Sequence, residues 1–317
     1  MTIVVSGPKP RRRNLDASEL NDQDVSGARF FGVTSNGHGQ IWQQQEGEIW
    51  RAGINGAEKL VVSNYGSVRE ALKGQFSCDF VVHKMELCPG QYYPRIGRPN
   101  DQHPDSGPAR PNFANADMGE LFNSARYYSA LVGQLWEVLE VIEPVIENKD
   151  CFGNKIRSLL ILACTECENQ MRLILRCNGL EKDRYNTSDF VRLLKPMRLN
   201  EYALEFSEMP WLGEIHPFRD WSSAKPTVSL SWYDAYNATK HDRSACLFRA
   251  NLSSLFKSLA ALWILLTAQY GSHSWRTVSE SDRVFTAKSV PRWRYSECYT
   301  YPYSGTGMSA QEVKLFK

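Results

Sequence analysis

Three long stretches of this chain repeat apolar side chains at three- and four-residue steps, and that spacing limits the fold more than any other feature. In the first, Leu121, Ala125, Tyr128, Val132, Leu135, Leu139 and Ile142 recur in this way. They form one face of an amphipathic helix over about residues 117–143, which Pro144 should end. The second predicted helix starts at Asn154 and runs to Cys177, with Ile156, Leu160, Ala163, Cys167, Met171 and Ile174 as its buried stripe. Asn178-Gly179 supplies its stop. A shorter helix is expected over Asp189–Lys195, capped by Thr187 or Ser188 and closed by Pro196. The third long stretch reads as one helical run from Ser231 to Tyr270, striped by Leu252, Leu255, Phe256, Leu259, Leu262, Trp263 and Leu266 and stopped by Gly271. Helices of this kind bury a shared core, so the expected fold is mainly α, a four-helix-type bundle over residues 112–271.

The flanks read differently. Residues 1–27 form a tail in which Lys9, Arg11, Arg12 and Arg13 are cancelled by Asp16, Glu19, Asp22 and Asp24. Residues 28–88 form a small mixed α/β region. Its turn signals are Asn36-Gly37 and Asn55-Gly56. Its strands are expected at Ile41-Trp42, Glu48–Arg51, Lys59–Ser63 and Phe80–Leu87, with a helical segment at Ser67–Lys73. Residues 89–111 carry six prolines and three glycines and read as a linker without regular structure. Residues 198–226 look irregular, with Trp211, Phe218 and Trp221 packing as lids. Residues 272–317 read as an irregular C-terminal extension. Its Arg292-Trp293-Arg294-Tyr295 suits packing through cation–π contacts, with base stacking as the alternative.

Bulk composition narrows the functional classes. Hydrophobic residues make up 42% of the 317 and charged residues 23%, as in an ordinary globular protein. The net charge is only +2, so a nucleic acid would have to be held by a local patch. Met1–Pro10 lacks a signal-peptide core, and the run Leu259–Leu266 is too short to span a bilayer. A cytoplasmic protein without a membrane partner is expected. The eight cysteines do not form a disulfide framework. Cys164 and Cys167 lie mid-helix with no second pair, which makes them buried thiols rather than a zinc or redox site. No two of the six histidines have helical ligand spacing, and no glycine-rich phosphate loop occurs, so no metal and no cofactor is expected.

One segment is dense in chemistry. Ser231–Arg243 reads Ser-Trp-Tyr-Asp-Ala-Tyr-Asn-Ala-Thr-Lys-His-Asp-Arg. On a helix, Asn237 and His241 share a face, and Tyr236, Lys240 and Arg243 form the adjoining stripe. Two cations and an imidazole suit a phosphate: the cations bind it and the histidine can move a proton. This segment resembles the signature of the HEPN superfamily of helical-bundle domains. The family's Arg-Asn-x-x-x-His aligns with Tyr236-Asn237-Ala238-Thr239-Lys240-His241, near the start of a late helix. The resemblance implies a bundle that dimerises and has RNA or a nucleotide as its partner. In active members it implies metal-independent RNA cleavage, with His as acid or base and Arg stabilising the transition state. Carried over, it makes His241, Arg243 and Asn237 the catalytic candidates and Lys240, Tyr236 and Tyr233 the binding candidates. The departure is Tyr236 in the Arg position. A non-catalytic RNA- or nucleotide-binding or assembly domain therefore stands beside the ribonuclease. So does a purely structural use, in which Asn237, His241 and Arg243 bond to the lid segment or to Glu166 or Glu168.

Overall fold

The computed structural model describes residues 28–52, 58–102, 118–271, 275, 284–300 and 309–316. The tail 1–27 and the turn at Asn55-Gly56 lie outside the described residues. The N-terminal region is a five-stranded antiparallel sheet of β1 (Phe30–Ser35), β2 (His38–Gln45), β3 (Glu48–Arg51), β4 (Lys59–Val61) and β5 (Val81–Lys84), in the order β4-β3-β2-β1-β5. Asn36-Gly37 makes the first hairpin turn, with φ of 51° and 78°. Two left-handed residues in a two-residue loop match the twist of the flanking strands. Glu46-Gly47 does the same for β2 and β3, at φ of 51° and 82°. Alternation places Phe31, Val33, Trp42, Ile49 and Leu60 on one face, where they meet Ala71 and Leu72 of α1 (Val68–Lys73). Ser67 caps α1 by accepting from the Glu70 N–H at 3.2 Å.

The opposite face of the sheet is covered by the C-terminal part of the chain. The Tyr295 ring lies against Gly32 and Gly39, where an added Cβ would sit 2.2 Å and 2.3 Å from it. It also packs on His83, ring centroids 4.8 Å apart. Glycine at these two positions is what lets the ring approach the strands.

The second layer is helical: α2 (Met118–Leu139), α3 (Asn154–Cys177), α4 (Thr187–Phe190), α5 (Ser231–His241), α6 (Arg243–Cys246) and α7 (Leu252–Tyr270). α7 is central, packing on α2, α3 and α5, and every residue from Ser258 to Tyr270 is buried. It is long and apolar enough to cross a membrane, but 83% of its most apolar window is buried inside the protein. Cys164 and Cys167 are fully buried on α3, and burial pushes both thiols well up from their ordinary range.

A mainly α bundle is therefore not the architecture: this is an α+β fold of seven α-helices with a five-stranded sheet and two smaller sheets among the described residues. Much of the difference lies in residues 28–88, where β1 was not expected and β2 has eight residues rather than two, and the rest lies in three stretches that read as irregular. β6 (Gln91–Tyr92) lies inside the proline-rich interval, and the residues after it are no free spacer: Ile96, Arg98 and Asp101 are buried. β7 (Ala203–Phe206) lies in the supposed lid region, where Phe218 and Trp221 are core residues and only Trp211 is exposed. β8 (Phe285–Ser289) and β9 (Gln311–Glu312) lie in the C-terminal extension, pairing antiparallel with β7 and parallel with β6. Periodicity missed them because strands of two to five residues are too short to show a period.

The run Ser231–Tyr270 is also not one helix. Asp242 has extended geometry (φ −136°, ψ 85°) and its carboxylate accepts from Ala245 N at 2.9 Å. Asn251 does the same for Ser254 N at 3.0 Å. Side chains that capture nearby N–H groups start new helices instead of continuing old ones. Trp293 receives its cation–π contacts from Arg98 (5.2 Å) and Arg198 (4.9 Å), and Arg294 pairs with Glu86 at 3.0 Å; the two aromatics of the run are buried, while Arg292 and Arg294 stay exposed.

Candidate functional site

Eleven residues from Ser231 to His241 form α5, and its inner face explains why it holds its place. Trp232, Tyr233, Ala235, Tyr236 and Thr239 are buried. The Trp232 indole donates to Pro217 O at 3.0 Å, and Tyr233 and Tyr236 meet edge to face at 5.3 Å. Near the helix end, Arg157 of α3 donates twice to Thr239 O, at 3.1 and 2.9 Å, satisfying a carbonyl that has lost its helical partner. Arg249 pairs with Asp234.

The six sequence-predicted residues divide between two environments. Tyr233 donates its hydroxyl to Glu168 of α3; burial and that carboxylate push its phenol pKa up, so it stays neutral. It is a bundle contact. Tyr236 is 1% exposed, and its hydroxyl accepts from Lys240 Nζ at 2.9 Å. That bond raises the Lys240 pKa above its ordinary value. Lys240 is itself exposed, as are His241, the last residue of α5, and Arg243. Asn237 is half-buried. Among the described residues, the side chains of Asn237, His241 and Arg243 make no hydrogen bond or ion pair with one another or with any partner, Glu166 and Glu168 included.

Two expectations about spacing need correction. The motif does not open the last long helix: it is a separate short helix that ends at His241, and α7 begins eleven residues later, at Leu252. Arg243 does not extend the Tyr236–Lys240 stripe, because the extended backbone at Asp242 turns the chain before it. Phe248, 58% exposed, follows in the turn between α6 and α7.

No protein-family model, curated protein or solved structure matches this chain.

A cleft lies elsewhere, between α2 and α3, with a volume of about 600 Å³. Four of the residues lining it, Glu120, Ser124, Glu166 and Gln170, belong to a polar network that sequence periodicity did not reveal. Arg95, in the left-handed region at φ 57°, pairs with Glu120 and donates to Gln269 (2.9 Å), Gln170 (3.1 Å) and Tyr270 (3.0 Å). Gln170 donates in turn to Ser124 (3.0 Å) and Glu166 (2.6 Å). One signal was available: Gln170 sits beside Met171 on the face of α3 that periodicity assigns to the core, where an amide needs partners.

Proposed function

We propose that this is a cytoplasmic HEPN-like protein and that the exposed end of α5 is a non-catalytic contact surface for the phosphate backbone of RNA. The observation that carries the reading is the split within the motif. The position that holds Arg in the family holds a phenol that is buried and bonded to Lys240, so no cation stands there to stabilise a phosphorane-like transition state. Losing one such charge contact costs on the order of 10² in rate. Lys240, His241 and Arg243 stand out in solvent. An open cationic edge suits a polyanion better than a small molecule, which needs walls. Phe248, exposed close by, offers a face on which an unpaired base can stack.

The test is fluorescence anisotropy with a labelled single-stranded RNA, alongside a cleavage assay in chelator. Binding without cleavage is expected. Arg243→Ala should weaken binding at low salt and reduce the salt slope by about one phosphate contact. Metal-independent cleavage that disappears in His241→Ala would replace this reading with the ribonuclease. Absence of binding at low salt would end both.

A further inference from the structure

The α2–α3 cleft holds a carboxylate, Glu166, that has no ion-pair partner among the described residues. The polar network there is otherwise matched: Arg95 is neutralised by Glu120, and Gln170 accepts from Arg95 and from Gln269 at 3.1 Å each. Glu166 is the exception. It is half-buried, accepts from Gln170 at 2.6 Å and from Asn169 at 3.5 Å, and has no ion pair among the described residues. Arg95 and Arg172 reach it only through their fields, which lower its pKa; Arg172 donates to Asn169 Oδ1 at 2.7 Å, and Arg126, which lines the cleft, donates to Asn123 Oδ1 at 3.2 Å. Burial raises the Glu166 pKa by more than its hydrogen bonds and the two arginine fields lower it. Tyr127, on the facing turn of α2, lines the same cleft with an exposed ring and lies within the field of the Glu166 charge.

A carboxylate without a counter-ion beside an accessible aromatic ring is the pairing that receives an ammonium group: one supplies a charge-assisted hydrogen bond, the other a cation–π face. We propose that the α2–α3 cleft binds a short organic amine, with Glu166 as its counter-ion and Tyr127 as its aromatic wall. The volume of about 600 Å³ admits a linear amine along the helices, and the Asn123 and Asn169 amides line the cleft beside the ammonium. This site is independent of the α5 surface.

The experiment is calorimetric titration of the full chain with 1,4-diaminobutane at low salt, with 1-butanol and butyrate as uncharged and anionic controls. Saturable binding of the diamine alone is expected. Glu166→Gln should weaken it by about 10-fold or more, and Tyr127→Leu by about 2- to 5-fold. Glu147→Gln, on another part of the surface, should leave it unchanged. The proposal is overturned if butanol binds as well as the diamine, if Glu166→Gln melts like the parent and binds unchanged, or if Glu147→Gln loses as much. If Glu166→Gln does not fold, the exposed Tyr127 decides: unchanged binding in a stable Tyr127→Leu overturns the proposal.

Discussion

The core around α7 and the seam between sheet and C-terminal segment are both buried, but they are built on opposite terms. Around α7, apolar side chains fill most of the space, and stability comes from atoms that are present. At the seam, Tyr295 lies on Gly32 and Gly39, His83 packs on its ring, and Asp101 is buried beside Gly39, so closeness depends on atoms that are missing. The Asp101 carboxylate makes no well-formed hydrogen bond among the described residues. Burial pushes its pKa up to about 7, against the partial relief of its own and Gln102's backbone N–H groups. The first region should suffer when side chains shrink and the second when they grow.

The largest effect is expected in the core. Leu259→Ala should cost about 2–5 kcal/mol in chemical denaturation, through lost transfer energy and the cavity left behind. A loss under about 0.5 kcal/mol would put Leu259 among surface positions and dissolve the contrast. The pH response of the seam comes next. Folded Asp101 keeps its proton to about pH 7, whereas the unfolded carboxyl loses it near 3.8, so this group lowers stability as pH rises from about 4 through 7. Burial lowers the His83 pKa from 6.5 to about 4, so this group lowers stability as pH falls from 6.5 to 4. Each acts on the order of 3 kcal/mol, and between pH 4 and 6.5 their slopes oppose. Asp101→Asn should therefore expose a stability that climbs with pH over that window, and His83→Gln one that declines. If neither variant changes the slope, the seam groups titrate as they do in water.

A smaller loss is expected from adding one methyl group. At Gly39 a Cβ would stand 2.0 Å from the Asp101 carbonyl oxygen, which is backbone and cannot swing away. Gly39→Ala should cost about 1–3 kcal/mol and free the C-terminal segment to proteases before the bundle melts. Gly47→Ala is the instructive control, since its Cβ meets no neighbour and only its φ of 82° resists. A loss under about 0.5 kcal/mol at Gly39 would mean that the seam gives way to the methyl group, because Gly39 has no left-handed φ to strain. The smallest effect belongs to His241→Ala, exposed and unbonded, which should change stability by less than about 0.5 kcal/mol.

The same division governs what could be read from sequence. α3 was legible to its ends, because Ile156 through Ile174 keep period over about five turns and Asn178-Gly179 stops them. The hairpin at Asn36-Gly37 was legible because Asn and Gly reach positive φ most easily; its neighbour at Glu46-Gly47 was not, because Glu rarely goes there. Nothing local announced that Tyr295 would cover Gly32, or that Gln91 would pair with Gln311, since such contacts span more than 200 residues. Within the α5 motif, spacing identified Tyr236 and Lys240 as neighbours and they are bonded. It could not foresee that Asp242 would break the helix, because the same residue is tolerated inside helices and favoured at their starts.

The route of the chain also sets an order of events during synthesis. β1 to β5 are made within the first hundred residues, yet the face bearing Gly32 and Gly39 gains its cover only when Tyr295 is made, and β6 gains its partner only with Gln311. Contacts at such separation close slowly, because the loop entropy must be lost before any of them forms. The nascent sheet therefore waits with one face open while the bundle is still being translated. Ribosome-bound intermediates stalled before residue 285 should hold that face available to chaperones.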